Sequence, residues 1–146
     1  MSEFTTITHH IGGKYWSGKA TRSGDVYNPA TGKVTGKVDF ATVEVIDHAV
    51  DVATKAQQEW RNASLAKRVQ VLFAFREILN ARKEEVAARI TAEHGKVLSD
   101  ALGEVTRGLE VVEFACGIPH LLKGSYSENA STSIDVYSIR QPLGVC

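Results

Sequence analysis

Arg107 lies in ALGEVTRGLEVVEFACG, where Leu102, Val105, Leu109 and Val112 recur at helical spacing as one apolar stripe. At roughly 100° per residue it stands about 200° from both Val105 and Leu109, so it points away from that stripe. Its own side of the helix carries Gly103, Val111 and Phe114, with Glu104 and Glu110 at the flanks. Gly103 and Gly108 each cost about 1 kcal/mol relative to alanine inside a helix. A glycine kept there lets another backbone or a ligand come close. An arginine beside such gaps offers a planar fork of N–H donors matched to a carboxylate. The competing reading is a surface arginine paired with Glu104 or Glu110 along the helix.

Other candidates for chemistry are sparse. The sequence holds no GxGxxG, no Walker loop, and no CxxC or HExxH pattern. His9 and His10 are adjacent, and His48, His94 and His120 are scattered without ligand spacing, so no metal site is expected. Cys116, amid Phe114, Ala115 and Ile118, reads as a small buried hydrophobe. Cys146 has no His or other base beside it and reads as a strand-packing residue. The sequence therefore offers no catalytic residue and no cofactor-binding residue of its own.

Composition narrows the class. Of 146 residues, 43% are hydrophobic and 23% charged, the balance of a globular protein. Lys and Arg number 17 against 17 Asp and Glu, with no basic stripe, which argues against nucleic acid as a partner. MSEFTTITHH lacks the cationic and apolar regions of a secretory signal. No segment has the length of a membrane span, so no membrane partner is expected. Cys116 and Cys146, without a secretory context, read as reduced thiols of a cytoplasmic protein.

The elements that must position Arg107 follow from the change in period along the chain. Residues 1–40 read as strands and turns, with Gly12-Gly13 and Asn28-Pro29-Ala30-Thr31-Gly32 as turns and Val34 and Val38 in a short strand. Thr42 can cap a helix whose stripe is Ile46, Val50, Ala53, Ala56 and Trp60. Ser64 caps a second, with Leu65, Val69, Leu72, Phe75 and Leu79. Asn80-Ala81-Arg82 marks a break, Val86, Ile90 and His94 continue the face, and Gly95 ends it. The next helix is expected from about Ser99 to about Leu122, weakened by Gly117 and Pro119. Tyr126 and the β-branched run Ser131 to Arg140 suggest a hairpin turning at Glu128-Asn129-Ala130. Leu143, Val145 and Cys146 read as the opening of a buried strand.

The stretches IGGKYWSG, DVYNPATGKV, KRVQVLFAFREIL, EHGKVLSDALGEVTRGLEVVEFACGIPHLLKG and YSIRQPLGVC resemble, in order, the N-terminal part of an aldehyde dehydrogenase. GEVTRGLEVVEFACGIP is the narrowest of them and is similar to the CoA-acylating branch, the methylmalonate-semialdehyde dehydrogenases. The resemblance implies an α/β parent protein, of which this chain is a mainly helical N-terminal fragment with N-terminal strands and a C-terminal β-hairpin. It implies strands and turns over 1–40, helices packing on the cofactor domain over 41–123, an oligomerisation hairpin over 124–141, and the start of the first cofactor-domain strand over 142–146. The implied activity is NAD-dependent oxidation of methylmalonate or malonate semialdehyde through a cysteine thioester that coenzyme A then takes up. The catalytic cysteine would lie outside these residues, the fragment alone would be inactive, and Arg107 would hold the substrate carboxylate. A homo-oligomer, dimer or tetramer, goes with the hairpin. The other class of reading is a stand-alone, non-catalytic helical interaction module that binds a partner through the hairpin or an apolar helix face.

Overall fold

A computed structural model describes residues 5–146. Among the described residues, seven short strands and five helices follow the expected order of strands, helices and hairpin. β1 (Thr5–Ile7), β2 (His10–Ile11), β3 (Lys14–Tyr15), β4 (Ser23–Tyr27) and β5 (Val34–Asp39) come first. α1 (Val43–Asn62), α2 (Leu65–Ala81), α3 (Lys83–His94), α4 (Leu98–Ala115) and α5 (Ile118–Leu121) follow, and β6 (Tyr126–Ser131) with β7 (Ile134–Tyr137) closes the order.

The first strands make two small sheets. β5 is central in the order β1-β5-β4, parallel to β1 and antiparallel to β4. β2 and β3 pair across Gly12 and Gly13, both at positive φ, as the sequence suggested. In the turn before β5 the Asn28 side chain accepts from the N–H groups of Ala30 and Thr31, and Gly32 takes a φ of 68°. β4 is not evident in the sequence, because SGDVY holds too little β-branched character to stand alone.

Helix ends follow the punctuation. The Ser64 hydroxyl accepts from the Lys67 N–H at 3.2 Å and so caps α2. Thr42 occupies the N-cap position of α1 but makes no side-chain cap bond. Its hydroxyl serves the Glu44 carboxyl instead, and with the Glu44 backbone N–H it holds that group below its ordinary range. The break at Ala81 and Arg82 separates α2 from α3, and Gly95 ends α3 in the left-handed region at a φ of 84°.

Two boundaries differ from expectation. The helix that carries Arg107 ends at Ala115 rather than near Leu122, and a single further turn, α5, follows. The Cys116 N–H is shared between the carbonyls of Val112 and Glu113, and Pro119, lacking an N–H, restarts the turn rather than continuing α4. The hairpin turns between Ser131 and Ile134, not at Glu128-Asn129-Ala130. Those three residues lie in β6 as an irregularity, with Asn129 at a φ of 48°. Asp135 accounts for it: one carboxylate oxygen accepts from the Asn129 N–H at 2.9 Å and the other from the Tyr126 hydroxyl at 2.8 Å. The Asn129 N–H first, and the Tyr126 hydroxyl second, hold the Asp135 carboxyl below its usual range.

The core is small. Ala87, Ala101 and Val105 are buried where α3 meets α4, packed by Leu79, Val86, Ile90 and Leu102. Arg76 bridges α2 to α4, its Nε and one terminal nitrogen donating to the Glu113 carboxylate at 2.9 and 2.6 Å. The apolar stripes of α1 and α2 are only partly used. On α1 the inward side is Val45, Ala49, Val52 and Ala53, so the expected stripe is displaced, and its Ile46, Val50 and Trp60 are about half exposed. On α2 Val69 is buried and Phe75 half exposed. Residues 142–146 form no strand among the described residues, and Leu143 is 96% exposed.

Candidate functional site

α4 is held on its apolar side by α3 and α2. Ala101 and Val105 are buried and Leu102, Leu109 and Val112 half-buried, so the stripe read from the sequence is the inward face. The opposite face stands clear. Arg107 is exposed, as are Val111 and Phe114, at 68% and 70%. Sequence spacing thus placed Arg107, Val111 and Phe114 together correctly.

The guanidinium of Arg107 lies back over Gly103. A Cβ built at Gly103 would sit 3.6 Å from its Nη1, ordinary van der Waals contact, while nothing lies within 4 Å of one at Gly108. Gly103 therefore gives the arginine a smooth bed, and Gly108 leaves room beside it for a group that this chain does not supply.

The competing surface pairing is not the one adopted. Glu104 is engaged by the Lys96 ammonium at 2.5 Å. Lys96 sits between Gly95 and α4, and its side chain is only 19% exposed. The hydrogen bond from Lys96 is the main cause that holds the Glu104 carboxyl below its ordinary range, with burial opposing it and the charges of Lys96, Arg107 and His94 adding smaller pulls. Glu110 forms no ion pair among the described residues, and neither does Arg107. Arg107 keeps its fork of donors unneutralised on an exposed, partly apolar face. Lys96 escaped sequence reasoning because it lies eight residues from Glu104, across a helix start, where no helical spacing rule connects them.

The remaining candidates are dispersed. Cys116 is half-buried and Cys146 exposed, and both are free thiols. His10 packs edge-on to Tyr15 and His48 against Trp16. Among the described residues no three His, Cys, Asp or Glu side chains converge on a common point. A shallow cavity of about 340 Å³ is lined by His10, Ile11, Gly12, Ala49, Val52, Ala53 and Ala56, a mostly apolar wall.

Comparison with known proteins agrees over nearly the whole chain. The family model described as the aldehyde dehydrogenase family matches residues 16–146. A malonate-semialdehyde dehydrogenase of Pseudomonas aeruginosa is 44% identical over 96% of this chain and 28% of its own length. The mitochondrial, acylating methylmalonate-semialdehyde dehydrogenase of Arabidopsis thaliana is 43% identical over 96% of the chain and 23% of its own. The NAD complex of a Sinorhizobium meliloti protein assigned as a methylmalonate-semialdehyde dehydrogenase superposes with a TM-score of 0.90 at 42% identity, over 99% of this chain and 29% of that one. The chain thus spans less than a third of the length of these relatives.

Proposed function

The chain belongs to the aldehyde dehydrogenase family, and we propose that the whole protein oxidises malonate or methylmalonate semialdehyde, with Arg107 as the group that holds the substrate carboxylate. The observation that carries this reading is the unneutralised guanidinium of Arg107 over Gly103. It occurs in a chain whose relatives are named for aldehydes that bear a second, anionic end. A two-pronged hydrogen bond to that carboxylate fixes the aldehyde end relative to the nucleophile, which is how an arginine distant from the chemistry raises the rate.

In this reading NAD accepts the hydride and coenzyme A the acyl group, and the thiolate that attacks the aldehyde belongs to the whole protein. In the same reading this chain contributes binding and orientation of the substrate through Arg107. The helices over 41–123 pack on the cofactor domain, residues 142–146 lead into its first strand, and the hairpin over 124–141 joins a second copy in a homo-oligomer. β6 and β7 pair only with each other among the described residues and are exposed throughout, so each keeps an open backbone edge for such pairing. A cytoplasmic location completes the proposal; the one membrane finding is that no helix among the described residues is long and apolar enough to cross a bilayer.

The test is substrate discrimination in the full-length protein. Hydrogen bonds to a charged group contribute about 1.5–3 kcal/mol, so Arg107→Ala should lower kcat/KM for methylmalonate semialdehyde by roughly 10- to 150-fold. Propanal, which has no carboxylate, should lose less than about threefold. Equal losses for the two aldehydes would remove Arg107 from this role.

A further inference from the structure

Away from α4, three arginines converge at a junction that the proposed reaction does not use. Arg61 lies in the last turn of α1, Arg68 near the start of α2, and Arg140 in the segment after β7. With Leu122, Gln141 and Pro142 they line a cavity of about 220 Å³ that has no acidic residue in its wall. The chain as a whole carries no net charge, so this is a local concentration of cations.

Apart from Arg107, the other arginines of the helices are neutralised where they stand. Arg76 pairs with Glu113 and Glu77, and Arg82 and Arg89 share Glu85. Arg61, Arg68 and Arg140 make no ion pair among the described residues. Arg140 gives its Nε to the Lys123 carbonyl at 3.4 Å, which ties the segment to the end of α5. The Nε of Arg68 is buried with no hydrogen-bond partner. A buried guanidinium N–H without an acceptor, next to two like charges, is a costly arrangement unless an anion completes it.

We propose that this notch is a binding site for one oxyanion group, a carboxylate or a phosphate, gripped by Arg61, Arg68 and Arg140. Planar guanidinium forks match such oxygens two at a time. The cavity is below the roughly 300–1,000 Å³ of sites that enclose a drug-sized ligand, which suits a single anionic group rather than a nucleotide. Two sources share this chemistry: free inorganic phosphate, and an Asp or Glu side chain from the part of the whole protein outside these residues.

The experiment compares thermal unfolding of the full-length protein in sodium phosphate and in sodium chloride at equal ionic strength and pH. It uses wild type, the double variant Arg61→Gln/Arg140→Gln, and the charge-keeping double variant Arg61→Lys/Arg140→Lys. For free phosphate, the wild-type Tm rises saturably by about 2 °C or more in phosphate, and the Gln variant shows no rise. For an internal carboxylate, wild type is indifferent to phosphate, the Gln variant melts several degrees lower, and the Lys variant recovers most of the loss. The proposal fails if the Gln variant melts with wild type and phosphate has no effect. It fails equally if phosphate stabilises wild type and Gln variant alike, or if Lys is as damaging as Gln. Should the double Gln variant not fold, Arg140→Gln alone carries the same comparison.

Discussion

Produced by itself, the 146-residue chain should associate through the helix faces that this structure leaves open. A compact monomer of its 15.9 kDa mass would expose about 7,400 Å². The chain exposes 11493 Å², an excess of about 4,000 Å². A stable protein–protein interface removes about 1,200–2,000 Å² in total, so the excess exceeds one such contact even after allowance for the projecting hairpin. Much of the open surface is apolar. On α1 and α2 alone, Ile46, Val50, Trp60, Val71, Phe73, Phe75 and Ile78 are between 46% and 56% exposed. Full burial of such a side chain is worth roughly 1.5–3 kcal/mol, so the half still open on each leaves about 1 kcal/mol unrealised. Seven of them amount to about 5–10 kcal/mol, of the order of a domain's net stability. Sedimentation velocity across the micromolar range should show a rising weight-average mass, and a dye that reports exposed apolar surface should bind strongly. Phe75→Lys with Ile78→Glu, both on exposed positions of α2, should reduce both signals. A single 15.9 kDa species with sharp cooperative unfolding and no dye binding would refute the reasoning.

Gly124 tests the base of the hairpin. A Cβ there would lie 1.8 Å from the Ser138 carbonyl oxygen, and the backbones of Ser125 and Ser138 are bonded across the same point, so Gly124→Ala should pry the hairpin loose. In the full-length protein the expected result is a lower Tm and a smaller oligomer by sedimentation; unchanged values for both would contradict it. Glu104 supplies a pH dependence. Its folded carboxyl lies below the ordinary value of 4.5, chiefly through Lys96, so its contribution to stability is complete above that value and is lost as pH falls through the lower, folded value. The Tm difference between wild type and Lys96→Met should therefore be full at neutral pH and vanish in the acid range below 4.5, a difference independent of pH being the contrary outcome.

Legibility in the sequence followed the range of the interactions involved. Turn and cap chemistry is local, and Asn28 to Gly32, Ser64 and Gly95 all behave as their residue types require. The hairpin turn was misplaced because Asp135 draws in the Asn129 N–H from the opposite strand, which makes a turn-like triplet into a strand irregularity. No composition rule for Glu128-Asn129-Ala130 contains that contact. The stripe on α2 was legible, with Leu65, Val69, Leu72 and Leu79 turned inward, whereas on α1 the buried Val45 lies off the expected stripe of Ile46, Val50, Ala53, Ala56 and Trp60. Periodicity reports that a face wants cover and is silent on whether the cover lies within the same 146 residues.

The same distinction governs Arg107. Its direction was readable from helical geometry, because Val105 and Leu109 face inward and an arginine about 200° away must face out. Its availability was not, because spacing permits Glu104 and Glu110 as partners equally well. One of the two is withdrawn by a residue on another segment: Lys96, placed by the left-handed turn at Gly95, takes Glu104 for itself. If Glu104 were released, its carboxylate would stand one helical turn from Arg107 and compete with any anionic ligand for the same donors. In the proposed role, recognition of a carboxylate on this face would rest on two features together, the bed of Gly103 beneath the arginine and the ion pair that keeps Glu104 occupied.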